Sequence, residues 1–339
     1  MGKRVVTMKK LINNVEDLVS ELLEGYALAY PNKVKLIGEH LVARTRPKAW
    51  GKVALVTLGG SGHEPGLSGF VGEGLLDISV PGEIFAAPGP QRCLDALVRA
   101  DRGAGVLFVV LNHAGDVLTA NLTMEMAREK GLHVKMILVH DDIASGPAEK
   151  PEERRGLVGF LPVIKVAGAA AEAGYNLDEV LAVAKRMVQS MRTLAVALSP
   201  ATHPITGDAM FELGDDEMCV GMGQHGEAGV GVEKMKSADE TTDLMLLQLL
   251  KDLGASQGEE LLVILNGAGA TTMMELYIVF RRMHQVLKDK QIKISRSLIG
   301  EYITTQEQNG FQMLISRIDR ELLTLWDAPC DVPCFSFVR

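Results

Sequence analysis

The sequence has little of what marks nucleic-acid-binding, membrane or secreted proteins. Its formal net charge is −8 and aromatic residues make up 5%, whereas phosphate binding requires clustered Lys and Arg. No apolar run approaches the ~18 residues of a membrane span. The N-terminus lacks the apolar segment of a signal peptide, and Val6 stands where myristoylation requires Ser or Thr. We therefore expect a cytoplasmic protein that binds neither nucleic acid nor membranes.

Metal and nucleotide motifs are also missing. The four cysteines form no CxxC pair, and we expect them to be reduced thiols. No HExxH occurs, and no metal-ligand spacing links the histidines outside the two glycine-rich turns, which are His40, His113, His133, His140, His203 and His284. The Walker pattern ending in Gly-Lys-Ser/Thr is absent as well. We expect this chain itself to hold no metal and no nucleotide cofactor.

Length and patterning predict an α/β fold. A chain of 339 residues suggests two domains or one large unit. Short apolar segments alternate with helical patterns, which is typical of mainly parallel or mixed sheets covered by helices. A second α/β segment begins with the apolar run 194–198. We place a boundary near residue 190, which gives an N-terminal α/β domain, 1–190, and a C-terminal α/β domain, 191–339.

The most unusual stretch is 218–229, where His225 lies among glycines directly after an apolar run. Imidazole is largely neutral and nucleophilic near pH 7, so we predict that His225 acts directly on a small carbonyl compound. Gly221, Gly223 and Gly226 spell GxGxxG, but a dinucleotide site requires a helix that opens at the third glycine, and the residues that follow are a poor helix start. A glycine turn with an incidental histidine is the alternative.

A second glycine-rich turn carries His63. It follows the apolar strand 53–58 directly. The backbone N–H groups of Gly60, Ser61 and Gly62 are candidates to bind hydroxyl or carbonyl oxygens of a small polar ligand. The alternative is a tight turn whose histidine is satisfied by the protein itself.

Asp116 follows the next buried strand, 105–111, at the point where ligands gather in α/β sheets. A carboxylate there can take a proton from a substrate hydroxyl, as a general base does. Asp is also a common helix N-cap, and a helical pattern follows it. Both interpretations are open from the sequence.

Together these stretches resemble the dihydroxyacetone-binding (DhaK) subunit family of dihydroxyacetone kinases from end to end. In chain order, the resemblance rests on Met8-Lys9-Lys10-Leu11-Ile12-Asn13, Gly60-Ser61-Gly62-His63-Glu64-Pro65, Asn112 with Gly115-Asp116, Arg154-Arg155-Gly156, His225-Gly226-Glu227 with Gly229, Glu275-Leu276-Tyr277 and Leu325-Trp326-Asp327-Ala328-Pro329. It implies a two-domain α/β homodimer whose site holds a short ketose.

The resemblance also implies a role for each site residue. His225 adds to the ketone carbon as a covalent hemiaminal, so polyols are rejected by chemistry rather than by size. His63 hydrogen-bonds the substrate and assists proton transfer. Asp116 takes the proton from the terminal hydroxyl that is phosphorylated. Backbone contacts to the ligand come from Gly60, Ser61 and Gly62.

The phosphoryl donor, by the same resemblance, belongs to a separate helical subunit (DhaL-like) that carries ATP or ADP with Mg. That subunit is recharged by a phosphotransferase-system protein (DhaM-like) or replaced by ATP. This chain alone is expected to bind the ketose without phosphorylating it.

Two departures from the family pattern bear on the substrate. Residues 111–116 read Leu-Asn-His-Ala-Gly-Asp where dihydroxyacetone-using members commonly have Lys-Asn-Tyr-Thr-Gly-Asp, and Ala228 replaces a usual proline. A four-carbon ketose such as erythrulose is therefore a contender beside dihydroxyacetone. A ketose-sensing regulatory paralogue that acts with a transcription factor is the alternative function, although Asp116 favours the enzyme. A nicotinamide-dependent oxidoreductase is the third hypothesis.

Overall fold

The computed structural model describes residues 9–227 and 229–337. Met8, which opens the first matching stretch, and Ala228, one of the two family departures, lie outside the described residues. Among the described residues, no helix combines the length and the apolarity that crossing a bilayer requires.

Two six-stranded sheets form the framework. The first contains β1 (Val34–Ile37), β2 (Leu41–Arg44), β3 (Ala54–Ser61), β4 (Ile78–Ile84), β5 (Val106–Leu111) and β6 (Val134–Val139). The second contains β7 (Met191–Ser199), β8 (Glu217–Val220), β9 (Gly231–Lys234), β10 (Glu260–Gly267), β11 (Lys293–Gly300) and β12 (Asn309–Arg317). A short ribbon near the C-terminus pairs β13 (Cys330–Asp331) with β14 (Ser336–Phe337).

The helices alternate with these strands. They are α1 (Leu18–Ala29), α2 (Pro90–Ala100), α3 (Ala114–Glu129), α4 (Phe160–Glu172), α5 (Leu177–Ser190), α6 (Ala238–Leu253), α7 (Met273–Asp289) and α8 (Arg320–Trp326). Side-chain capping marks where three of these helices begin. Each of α5, α6 and α7 opens with a reciprocal capping box, formed by Asn176 with Glu179, Ser237 with Glu240, and Thr272 with Glu275.

The core is layered. Because side chains alternate across a strand, Leu55 and Leu262 face a central core that includes α4 and α5, while their neighbours Val56 and Val263 face outer cores. The outer core of the first sheet includes α2 and α3, and that of the second sheet includes α6 and α7. Helix α4 lies between the two sheets, which explains its alanine-rich sequence and its burial on all sides.

The α/β class predicted from the sequence is confirmed, but the two sheets differ in pairing. In the first, β4, β3, β5 and β6 run parallel and β1 and β2 form an antiparallel edge. In the second, β10 and β11 are parallel, while β12, β7, β8 and β9 add antiparallel pairs. The strands of the first sheet end at residue 139 and those of the second begin at residue 191. The domain division near residue 190 stays a prediction.

Candidate active site

A cavity of about 220 Å³ lies where the carboxyl ends of β3 and β5 meet a loop from the second half. The first half supplies His63, His113 and Asp116 to its wall, and the second half supplies His225 and Glu227. Pockets for drug-sized ligands measure ~300–1,000 Å³, so this cavity suits a molecule of only a few heavy atoms. It contains the three side chains that the sequence singled out as chemical groups.

A backbone carbonyl and a neighbouring glycine fix the position of His63. The residue is 5% exposed, and its Nδ1 lies 2.7 Å from the carbonyl oxygen of Thr304. Because a carbonyl only accepts, Nδ1 carries the hydrogen and Nε2 keeps its lone pair when the ring is neutral. The preceding Gly62 has φ +103°, and a Cβ there would lie 2.6 Å from the Phe85 ring. Glycine at this position therefore allows the close packing of the His63 turn.

His225 is held by Glu227, which lies two residues further along the chain. The carboxylate accepts from the His225 backbone N–H at 2.8 Å and contacts ring Nδ1 at 3.1 Å. A Cβ on Gly223 would lie 2.3 Å from Glu227 Oε2, so only glycine lets the carboxylate fold back in this way. Gly226 adopts φ +84° and completes the turn.

The two histidines meet across the cavity. Their Nε2 atoms are 3.0 Å apart, and the ring of Phe85 packs against both, with centroid distances of 5.2 Å to His63 and 5.6 Å to His225. The segment between β11 and β12 fixes this pairing, since Thr304 N–H donates to the His63 carbonyl and Thr305 Oγ1 donates to the Gln224 carbonyl. One segment thus sets the positions of both histidine turns.

Burial and hydrogen bonding shift the pKa values of His63 and Glu227. Burial, reinforced by His225, lowers the pKa of His63 from 6.5 to about 3. Burial opposes ionisation of Glu227, but hydrogen bonds from His113 and His225 outweigh it and hold the pKa of Glu227 well below its usual range. Glu227 is therefore a fixed negative charge beside His225, and His63 is a weak base.

Asp116 lies in the first turn of α3 and not at its cap, which is His113. The capping interpretation of Asp116 is therefore wrong. Burial raises its pKa from 3.8 to about 6, although the nearby His113 and His225 lower it. A carboxylate with a pKa near 6 in a small cavity is a competent general base at neutral pH.

The predicted backbone contacts are distributed unevenly. Gly60 lines the cavity, whereas Ser61 lines a separate cavity beside α1, and the Gly62 N–H donates to the Glu64 carboxylate at 3.0 Å. The contacts of Gly60, Ser61 and Gly62 with a ligand stay predictions. The dinucleotide alternative for residues 221–226 lacks its structural context, because β9 follows that turn and the next helix begins at Ala238.

Two site residues were not assigned a role from the sequence. Glu227 was named only as part of a stretch that matches the family, and its two hydrogen bonds to His225 depend on the conformation of the turn. His113 was set aside for lack of metal-ligand spacing, yet it lies 3.6 Å from Glu227, and His113, His225 and Glu227 present ligand atoms within 4.8 Å of one another. Spacing in the sequence could not reveal a cluster that is formed by two separate loops.

Other matching stretches serve the framework. Arg154 is 1% exposed and makes two hydrogen bonds to Asp252, at 2.9 and 2.6 Å. Lys165, fully buried on α4, donates to the carbonyls of Leu325 and Ala328 at 3.0 and 2.7 Å. These contacts link the segment before α4 to α6, and they link α4 to the end of α8 and the residues that follow it.

Comparison with known proteins agrees with this arrangement. Residues 24–334 match the family model described as the Dak1 domain. The chain belongs to the Dak1 family. This Dak1 chain is 38% identical to the "PTS-dependent dihydroxyacetone kinase 2, dihydroxyacetone-binding subunit DhaK" of Listeria innocua, over 97% of this chain and 99% of that protein. The family resemblance inferred from the motifs is confirmed.

Two further Dak1 relatives point to different roles. The "L-erythrulose kinase" of Pectobacterium atrosepticum is 37% identical over 97% of this chain and 56% of that protein. A solved structure described as "Dihydroxyacetone kinase operon co-activator Dha-DhaQ" superposes with a TM-score of 0.88 at 27% identity, covering 95% of this chain and 98% of that one. The Dak1 fold is thus shared by enzymes and by a co-activator.

Proposed function

We propose that this chain is the ketose-binding subunit of a dihydroxyacetone-type kinase, a phosphotransferase, and that it holds its substrate covalently on His225. One observation carries the proposal: the Nε2 atoms of His63 and His225, from opposite halves of the chain, lie 3.0 Å apart in a cavity that also contains Asp116. A nucleophile, a proton carrier and a base are the three groups that capture and activation of a hydroxyketone require.

Capture begins with one proton held between the two Nε2 atoms; because each Nδ1 also carries a hydrogen, the histidine pair has a net charge of +1. Transfer of that proton to His63 leaves a lone pair on His225 Nε2, while His225 Nδ1–H donates to Glu227. The lone pair attacks the keto carbon, the C=O π electrons move to oxygen, and His63 returns the proton to that oxygen. The product is a hemiaminal on an imidazolium ring, and the charge of this ring faces the Glu227 carboxylate. A buried, weakly basic His63 favours the last transfer.

Phosphorylation follows at the terminal hydroxyl of the captured ketose. Asp116 accepts the hydroxyl proton as the oxygen attacks a phosphoryl group. The donor is a nucleotide with Mg on a separate helical subunit (DhaL-like), which is recharged by a phosphotransferase-system protein (DhaM-like) or replaced by ATP. A homodimer and a cytoplasmic location belong to the same proposal, and gel filtration and cell fractionation test them.

Carbon-13 NMR with dihydroxyacetone labelled at the keto carbon tests the covalent step. We expect the ketone resonance to give way to a tetrahedral carbon resonance in the wild type and to persist with His225→Ala. An equal tetrahedral signal in both proteins would contradict the assignment of His225. Capture without sugar phosphate, after addition of a nucleotide-loaded partner subunit, would contradict the kinase assignment.

The length of the ketose is a separate question. Leu111 and His113, which both belong to the departure at residues 111–116, line the cavity. Relatives include an L-erythrulose kinase as well as dihydroxyacetone-binding subunits. A competition between three-carbon and four-carbon ketoses for capture, read by the same NMR signal, decides between these substrates.

A co-activator is the second candidate, favoured by the TM-score of 0.88 to the structure described as Dha-DhaQ. A sensor needs the covalent anchor but not a base, and Asp116 in the cavity favours the kinase. Capture that changes binding to a transcription factor, with no turnover of any short ketose, would support the co-activator.

A further inference from the structure

Three ligand atoms converge where the two loops meet. Glu227 Oε1 lies 3.1 Å from His225 Nδ1 and 3.6 Å from His113 Nδ1. The centroids of the two imidazole rings are 5.3 Å apart, and their planes are inclined by 75°. Two imidazole nitrogens and one carboxylate oxygen form the ligand set of many zinc sites that keep a fourth position open.

The Nε2 atoms of His113 and His225, on the far side of each ring from Glu227, make the kind of hydrogen bond that metal-binding histidines make. His113 Nε2 lies 2.9 Å from the Gly156 carbonyl, which only accepts, so Nε2 carries a hydrogen. A metal ion that displaces the hydrogen His113 shares with Glu227 therefore meets the Nδ1 lone pair on the side of the carboxylate. His63 donates Nδ1–H to Thr304, so its Nε2 accepts from His225 Nε2–H at 3.0 Å. When a metal ion displaces the hydrogen that His225 Nδ1 otherwise donates to Glu227, the ring keeps this Nε2–H and presents its Nδ1 lone pair to the ion. Hydrogen bonds from the far ring nitrogen orient metal-binding histidines in this way.

We propose that His113, His225 and Glu227 form a site for a divalent first-row metal ion, of which Zn²⁺ is the best match, and that the bound ion blocks ketose capture. The ion takes both Nδ1 lone pairs and one carboxylate oxygen. The His225 ring hydrogen then resides on Nε2, pointing at His63, so the nucleophilic lone pair is no longer available. The metal and the ketose thus select opposite tautomers of one ring. The binding half of this inference is independent of the proposed function, and the inhibitory half rests on it.

Zinc titration of the chelator-stripped full chain, in competition with a chromophoric chelator, tests the site without any ketose. We expect one zinc per wild-type chain and a loss of affinity of about tenfold or more in both His113→Phe and Glu227→Gln. His284→Phe, at an exposed histidine on α7, is the matched control and should bind zinc as the wild type does. Absence of stoichiometric binding to the wild type overturns the site, as does zinc binding that survives both substitutions or falls equally in the control.

The NMR capture assay, repeated with zinc, tests inhibition. We expect the tetrahedral signal to fall in proportion to zinc occupancy and to return when a chelator is added. Full capture by zinc-loaded protein overturns the proposal that zinc blocks ketose capture, but it does not count against the zinc site itself. If the metal-free wild type captures no ketose, the proposed function fails, while the zinc titration still decides the metal site.

Discussion

The Asp116→Asn variant tests whether the site contains a destabilising carboxylate. Asp116 is 8% exposed, and burial raises its pKa from 3.8 to about 6. A carboxyl group whose pKa is higher in the folded state favours folding in its neutral form, so this contribution is fully present below about pH 4 and is lost as the pH rises through about 6. Roughly two pKa units at about 1.36 kcal/mol each correspond to about 3 kcal/mol.

Asparagine has nearly the same shape and does not ionise. The difference in the free energy of unfolding between the variant and the wild type should therefore grow between about pH 4 and pH 7, to at most about 3 kcal/mol in favour of the variant. The positive end of α3 favours the carboxylate by only about 0.3–1 kcal/mol, which is less than the cost of burial. The cost of burial therefore determines that the variant is the more stable protein.

Thermal unfolding followed by circular dichroism at about pH 5 and about pH 8 measures this difference. Glu21→Gln is the control, since Glu21 is an exposed acid in the first turn of α1 and should shift stability by less than about 0.5 kcal/mol at either pH. If the Asn variant at pH 8 were no more stable than the wild type, the reasoning about Asp116 would be refuted. Phosphoryl transfer by the variant should fall by on the order of 10²–10⁴-fold while ketose capture persists.

Three further substitutions test the framework of the site. Glu227→Gln should slow ketose capture by on the order of 10²–10⁴-fold, because the amide can donate to His225 Nδ1 and move the ring hydrogen to Nε2; unchanged capture kinetics would count against this role. Arg154→Met should lower the free energy of unfolding by about 3 kcal/mol, because it removes a buried guanidinium from Asp252, and a urea titration within error of the wild type would contradict that. Asn266→Leu should lower the free energy of unfolding by about 3 kcal/mol or more, since the fully buried amide makes three hydrogen bonds to the segment that positions both histidine turns. Calorimetry measures the loss, and a melting temperature equal to that of the wild type would show that this segment keeps its conformation without Asn266.

The sequence by itself determined the class of fold and the chemical groups of the site. Alternating strand and helix patterns predicted the α/β layers, because those signals act over a few neighbouring residues. Glycines around His63 and His225 marked turns in which a side chain can approach a ligand, since positive φ and close packing are local properties. The antiparallel pairs of the second sheet were not predictable, because β12 reaches β7 and β10 from far along the chain.

Only the tertiary structure decided what these groups can do together. The 3.0 Å contact between His63 and His225 joins loops from opposite halves of the chain. Its geometry depends on the backbone of Thr304, which no side-chain pattern encodes. The raised pKa of Asp116 likewise follows from burial, which the neighbours of a residue in space set. Local sequence specifies turns and chemical types, whereas distance, desolvation and tautomer depend on the packing of remote segments.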